Sequence, residues 1–235
     1  MSIKYTVVIP LKNEEENIVP LIFEVESVME KIGEEWELLC IDDGSTDKTL
    51  PLLEEFALQK PFLRILSFTR NFGQSSAFSA GFENARGEFV ITLDGDLQNN
   101  PEDIPKLIEK EREADLVCGW RVDRQDPKVK KITSTVSNWV RSRLCQDKMH
   151  DTGCSLKLYR KEALAKINLY NGMHRFLPAL FLIEGFTVIE VPVSHRKRVK
   201  GKTKYHFFNR SLAPIVDMFV VRWMRKRKLH HEIRK

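Results

Sequence analysis

Asp94 and Asp96 close the apolar run Glu88–Leu93 with only Gly95 between them. Two carboxylates that close repel each other unless a cation sits between them. Hard oxygen donors at such a place suit Mg2+ or Mn2+, and either ion can carry a diphosphate. Taken alone, Asp-Gly-Asp also reads as an ordinary solvated turn, so its surroundings must decide.

Four more polar clusters follow apolar runs in the same manner: Pro10-Leu11-Lys12-Asn13-Glu14, Asp42-Asp43-Gly44-Ser45, Arg70-Asn71-Phe72-Gly73 and Gly119-Trp120-Arg121. The runs before them read as strands at Tyr5–Pro10, Trp36–Ile41, Phe62–Phe68, Glu88–Leu93 and Ala114–Gly119. Between them lie helical patterns at Asn17–Ile32, Lys48–Gln59, Gly73–Ala85 and Pro101–Arg112. In the first of these, Ile18, Leu21, Ile22, Val25, Val28, Met29 and Ile32 share a face. Such alternation predicts a Rossmann-like α/β fold, a mostly parallel, doubly wound sheet with helices on both faces. Ligands of such sheets bind at the carboxyl ends of the strands, where all five clusters fall.

Beyond Arg121 the pattern changes. Asp123–Lys131 is charged and reads as a loop, and Ile132–Leu144 as a helix. A strand is expected at Leu156–Tyr159, helices at Arg160–Ala165 and Met173–Glu184, and a last strand at Thr187–Val193. The segment Ser211–Leu229 carries Leu212, Ile215, Val216, Phe219 and Trp223 on one helical face, with Arg222, Arg225, Lys226 and Lys228 crowding its end. A basic amphipathic helix with an interfacial tryptophan reads as a membrane-surface element. The competing reading packs that helix on the domain's own core. We therefore divide the chain into an α/β domain over 1–210 and a basic amphipathic helix over 211–235.

Composition narrows the class. Of 235 residues, 42% are hydrophobic and 30% charged, which argues against disorder. The net charge of +5 concentrates in Arg196–Lys204 and Arg222–Lys228, blocks that favour phosphates. Cys40, Cys118, Cys145 and Cys154 are scattered without a Cys-x-x-Cys pair, so neither zinc nor a disulfide framework is expected, in keeping with a reducing cytosol. Met1–Tyr5 leads directly into a strand rather than a signal peptide, and no segment has the roughly 18–20 apolar residues of a transmembrane helix. The expectation is a soluble or peripheral protein, not an integral one.

The ordered motifs Val7–Glu14, Ile41–Asp47, Arg70–Gly73, Ala85-Arg86-Gly87 and Leu93–Gln98 resemble those of family 2 glycosyltransferases, which have the glycosyltransferase A fold. Asp151–Cys154, Leu158–Lys161, Gly172–Phe176, His195–Arg198 and Gly201–Tyr205 are similar to the polyprenyl-phosphate sugar transferase branch. That branch includes dolichyl-phosphate mannose synthase and bacterial undecaprenyl-phosphate enzymes. The resemblance implies a hexosyltransferase using a UDP- or GDP-sugar, a polyprenyl phosphate and a divalent ion, Mg2+ or Mn2+. It implies that Asp94, Asp96 and Gln98 hold the metal. Pro10, Asn13, Glu14 and Asp42, with Asp43, Arg70 and Gly73, would line the nucleotide-sugar pocket. Arg121 would sit by the sugar or acceptor phosphate, Asp151 on the acceptor side, and Arg198 and Lys204 would reach phosphates. Work on a membrane-bound lipid implies a cytoplasmic location, peripheral on the inner membrane face. Many bacterial relatives continue into two transmembrane helices. Here the Ser211–Leu229 helix or a membrane-protein partner is expected to supply attachment.

The chemistry suits these residue types. A lipid phosphate is already an anion and can attack an anomeric carbon without a general base, whereas an alcohol normally needs one. The excess of cations over spare carboxylates in the second half favours the phosphate acceptor. In-line attack opposite the departing nucleotide would invert the anomeric centre. The same fold acting on a saccharide, lipid or protein hydroxyl is the alternative. A non-catalytic nucleotide- or RNA-binding module is a remote one, since no aromatic-rich nucleic-acid motif supports it.

Overall fold

The computed structural model describes residues 2–122, 141–197 and 213–229. Seven strands form one sheet: β1 (Tyr5–Leu11), β2 (Trp36–Asp42), β3 (Leu63–Ser67), β4 (Phe89–Thr92), β5 (Leu116–Arg121), β6 (Lys157–Arg160) and β7 (Val188–Val193). Their spatial order is β3-β2-β1-β4-β6-β5-β7. β1 and β4 and the centre of β2, Leu38–Ile41, are mostly apolar because both sheet faces are covered there. Helices α1 (Ile18–Ile32), α2 (Thr49–Gln59) and α4 (Ile104–Ile108) pack with one core cluster. Helices α3 (Gln74–Asn84), α5 (Lys161–Leu164) and α6 (Leu177–Glu184) pack with the other. The doubly wound arrangement expected from the alternation is present.

The α1 stripe of Ile18, Leu21, Ile22, Val25, Val28 and Met29 is buried, and the helix ends where Gly33 turns left-handed and its N–H donates to the Met29 carbonyl. Two expected helices are interrupted. Pro101–Asp103 is a 3-10 turn and α4 begins only afterwards, with Pro105 at its start. Met173–Phe176 is likewise a 3-10 turn ahead of α6, whose first turn holds Pro178. Proline cannot donate to the preceding turn, so a helix restarts there instead of running through.

Chain order reverses at β1: β2 and β3 lie on one side and β4 on the other. That switch point opens a crevice at the carboxyl ends of β1 and β4. β6 is antiparallel to both β4 and β5. Its direction has a consequence for the crevice, because the residues entering β6 lie at the rim where β4 and β5 end. Thr92 is paired with Lys157, and the Thr92 hydroxyl donates to the Ser155 carbonyl at 2.5 Å.

The last described helix, α7 (Ala213–Arg227), lies on α6. Val221 is fully buried there among Cys145, Met173, Phe176, Leu180 and Ile183, with Met218 and Met224 beside it. All four cysteines are buried and free. The expected loop Asp123–Lys131, most of the expected helix Ile132–Leu144, and Leu212 lie outside the described residues.

Candidate active site

The ends of β1 and β2 form one wall. Asn13 adopts φ 49°. Its N–H donates to the Ser45 hydroxyl at 2.9 Å, and its side-chain oxygen accepts the Thr46 N–H at 2.8 Å. The Glu14 N–H donates to the Thr49 hydroxyl, and the Glu14 carboxylate accepts from the Asn17 amide at 2.7 Å. Asp42 is buried and accepts from the Ser45 N–H and the Ser67 hydroxyl. Asp43, also buried, accepts the N–H groups of Phe72 at 2.7 Å and Gly73 at 3.0 Å. These two aspartates thus shape the loops of the wall. Arg70 stacks over the Phe72 ring at 4.2 Å. Gly44 has φ 64°, and a Cβ there would lie 2.4 Å from the Arg70 carbonyl carbon, so only glycine lets the two loops touch.

Asp94 and Asp96 stand at the switch point beside the end of β1. A Cβ on Gly95 would meet Leu11, with the Pro10 carbonyl also near. Burial first, and the neighbouring Asp96 charge second, hold the Asp94 carboxyl above its ordinary range, while Ser155, Lys157 and Arg121 pull the other way. Asp96 accepts the Gln98 N–H at 3.1 Å. The Gln98 side-chain amide faces His195 at 3.5 Å, and the Gln98 backbone carbonyl accepts the Arg196 N–H. Among the described residues no group of three or more His, Cys, Asp or Glu could hold a metal. Two hard carboxylates with no protein cage fit a small divalent ion that takes its other oxygens from water and a diphosphate.

The opposite wall is built by β5, β6 and β7. Asp151 is buried and grips Arg121 with both oxygens, Nε at 2.6 Å and Nη2 at 2.9 Å. This fork leaves the Nη1 edge of Arg121 without a partner among the described residues. Lys157 is buried under the crevice, donating to the carbonyls of Thr152 and Cys154. Arg196 is committed to Glu24 at 2.6 Å and Asn100 at 2.5 Å. Arg198 and Lys204 lie outside the described residues.

Pro10, Asn13, Glu14, Asp42, Asp43, Arg70, Gly73, Asp94, Asp96, Gln98, Arg121 and Asp151 all fall on the rim where β1, β2, β3, β4 and β5 end. Gln74 and Ser75 carried no motif signal. The Gln74 amide donates to Asp94 Oδ1 at 2.9 Å. Ser75 meets His174 Nδ1 at 2.6 Å and accepts the Gly172 N–H at 2.9 Å. Burial, with Arg175 and Lys157 nearby, lowers the His174 pKa to about 3, so this imidazole is neutral. Lys157 gave no signal of its own, because the burial of a strand lysine is visible only in the structure.

Helix α7 presents two faces. Val221 packs inward, while Ile215, Val216, Phe219 and Trp223 are exposed, Phe219 at 57% and Trp223 at 62%. The helix therefore packs on the domain through Val221, while the apolar residues singled out in the sequence stay exposed. Among the described residues no helix is long and apolar enough to cross a membrane.

The sequence profile described as glycosyl transferase family 2 matches residues 6–167. The chain is 38% identical over 233 residues to the dodecaprenyl-phosphate galacturonate synthase of Rhizobium johnstonii, covering 97% of this chain and 69% of that protein. It is 40% identical over 205 residues to the undecaprenyl-phosphate 4-deoxy-4-formamido-L-arabinose transferase of Pectobacterium atrosepticum, covering 86% and 62%. The chain thus spans about two thirds of the length of these curated relatives. Among solved structures, the glucosyl-3-phosphoglycerate synthase of Mycobacterium tuberculosis in complex with UDP superposes with a TM-score of 0.69 at 19% identity, covering 93% of this chain and 79% of that one. At that identity the likeness speaks to the fold alone.

Proposed function

The chain belongs to glycosyl transferase family 2, and from that premise we propose that it moves a hexose-type sugar from a UDP- or GDP-sugar onto a polyprenyl phosphate. One observation carries the choice of acceptor. The carboxylates of the β5–β7 wall are already engaged, Asp151 with Arg121 and Glu190 with His150 and the Asp151 N–H. That wall offers a guanidinium edge and no carboxylate poised as a base among the described residues, which suits an anionic nucleophile and not a hydroxyl. Both curated relatives described above act, by their names, on polyprenyl phosphates.

In this reading the loops after β1 and β2, through Asn13, Glu14, Asp42 and Asp43, shape the nucleotide pocket, with Pro10, Arg70 and Gly73 at its border. Asp94 and Asp96, with Gln98, would hold Mg2+ or Mn2+, which stabilises the departing diphosphate as a Lewis acid. Arg121 receives the acceptor phosphate through its outer edge, and Asp151 fixes its plane. Arg198 and Lys204 add positive charge from the basic loop. The exposed face of α7 rests on the cytoplasmic membrane surface, where the lipid phosphate is found.

Radiolabelled UDP- and GDP-sugars, offered with undecaprenyl or dolichyl phosphate and Mg2+ or Mn2+, should give an organic-extractable product whose formation stops with Asp96→Asn. Label passing only to water-soluble saccharide or to protein would favour a hydroxyl acceptor and overturn the proposal.

A further inference from the structure

Glu190 lies on the edge strand β7, paired with Cys118 of β5. Its carboxylate is 11% exposed and does not face the metal aspartates. Instead it accepts two successive backbone amides, His150 N–H at 2.9 Å and Asp151 N–H at 3.0 Å, and meets His150 Nδ1 at 2.7 Å. A carboxylate has about four acceptor sites, and this set fills most of them on one turn of chain.

That turn in turn holds the last two residues of β5. The His150 ring stacks on Trp120 with centroids 4.4 Å apart and planes 19° from parallel. Asp151 grips the next residue, Arg121, through two charge-assisted bonds. Neighbouring residues of one strand are therefore clasped by neighbouring residues of one turn, and a single carboxylate fixes the turn. Removing it would free two backbone amides and let Asp151 rotate with its arginine.

We propose that Glu190 is a positioning residue for the acceptor site: it orients the His150–Asp151 turn so that Arg121 turns its outer edge toward the incoming phosphate. The inference rests on the reading of Arg121 as the acceptor-phosphate contact. Glu190 itself touches no substrate. Its effect should fall mainly on the β5–β7 wall, because Asp94 and Asp96 follow β4 and Asp94 takes a hydrogen bond from Gln74, while Arg121 reaches Asp94 only through its charge.

Farnesyl phosphate binding, measured by calorimetry on the whole chain, reads this wall, and Mn2+ binding by electron paramagnetic resonance reads the other. Glu190→Ala should weaken farnesyl phosphate about tenfold or more and leave Mn2+ within about twofold. Glu190→Gln keeps an oxygen for the two amides and should lie within about threefold of wild type. Arg121→Lys should also weaken farnesyl phosphate, and adding Glu190→Ala to it should cost little more, since both changes act through one guanidinium. If Glu190→Ala lowers the unfolding midpoint by more than about 10 °C, Glu190→Asp replaces it. That shorter side chain does not reach the two amides that one Glu190 oxygen accepts, and the same loss is expected. Normal farnesyl phosphate binding in the Glu190 variant, with weak binding in Arg121→Lys, overturns the inference and spares the functional reading. Normal binding in Arg121→Lys removes both. Equal loss of Mn2+ and farnesyl phosphate also overturns the inference, since it marks general damage.

Discussion

The Gln74 side-chain amide donates to Asp94 Oδ1 at 2.9 Å, joining the first turn of α3 to the end of β4. The bond holds one oxygen of a carboxylate that Ser155 also contacts, two residues before Asp96. Partners of this kind orient metal ligands. Gln74→Ala should therefore lower Mn2+ affinity about tenfold or more with the unfolding midpoint little changed. A paramagnetic-resonance titration matching wild type would remove Gln74 from the site.

Asp94 illustrates a conflict between stability and function. Its carboxyl is held above the ordinary range by burial and then by Asp96. A raised folded-state pKa means the folded protein binds the proton more tightly. The stability this brings is complete below the ordinary carboxylate range and is lost as pH rises through the raised value. At neutral pH without metal the site is strained by its own charge. Asp94→Asn should hold or raise the metal-free unfolding midpoint while abolishing the midpoint rise expected from Mn2+ in the wild type. A lower metal-free midpoint for the variant would contradict this.

His174 gives the opposite slope. It is buried against Ser75, and its pKa falls from 6.5 to about 3. Between those values the unfolded chain carries the extra proton, so stability is lost as pH falls, by up to about 1.4 kcal/mol per pH unit. From about pH 7 to about pH 5 the wild type should lose about 2 kcal/mol more than His174→Asn in urea unfolding. Parallel pH profiles would show that the imidazole is not the cause.

Gly44 tests how the wall at the ends of β1 and β2 is closed. Its φ of 64° and the 2.4 Å approach of the Arg70 carbonyl carbon leave no space for a methyl group. Gly44→Ala should cost roughly 2 kcal/mol or more in stability, combining left-handed strain with a backbone clash. Thermal stabilisation by the accepted nucleotide should fall as well, because the Arg70 and Asp43 loops separate. A variant as stable as wild type would mean the loops part without cost.

The two faces of α7 should separate by mutation. Val221→Asp puts a charge into the cluster with Phe176 and Leu180 and should cost roughly 3 kcal/mol or more. Phe219→Ser with Trp223→Ser changes only exposed side chains and should leave the unfolding midpoint within about 2 °C. That double variant should bind anionic phospholipid vesicles about tenfold or more weakly, having lost apolar area at the headgroup layer. Unchanged vesicle binding would refute the surface role of this helix.

The strands and the rim were legible in the sequence because both follow from local chemistry. Val7–Leu11 and Leu38–Ile41 are apolar runs, as central strands are, and polar residues begin where each run stops. The α1 stripe was equally plain. The two broken helices were not, since the apolar spacing runs on through Pro105 and Pro178 while the missing amide N–H does not. The amphipathic segment over 213–229 showed its apolar face but not that its other side, through Val221, docks on α6.

The site divides in the same way. Spacing alone put Asp94 beside Asp96, and their repulsion is a property of one short segment. The support of the site is of another kind: Gln74 on Asp94, Ser75 on His174, and Glu190 on the turn that holds Arg121 each join elements far apart in the chain. These residues carry no local pattern, because a glutamine, a serine or an edge-strand glutamate becomes informative only through what it faces. Sequence by itself fixed the charges that gather at the strand ends. Their orientation was decided by the antiparallel entry of β6 and by packing between layers, which bring distant donors and acceptors within about 3 Å of one another.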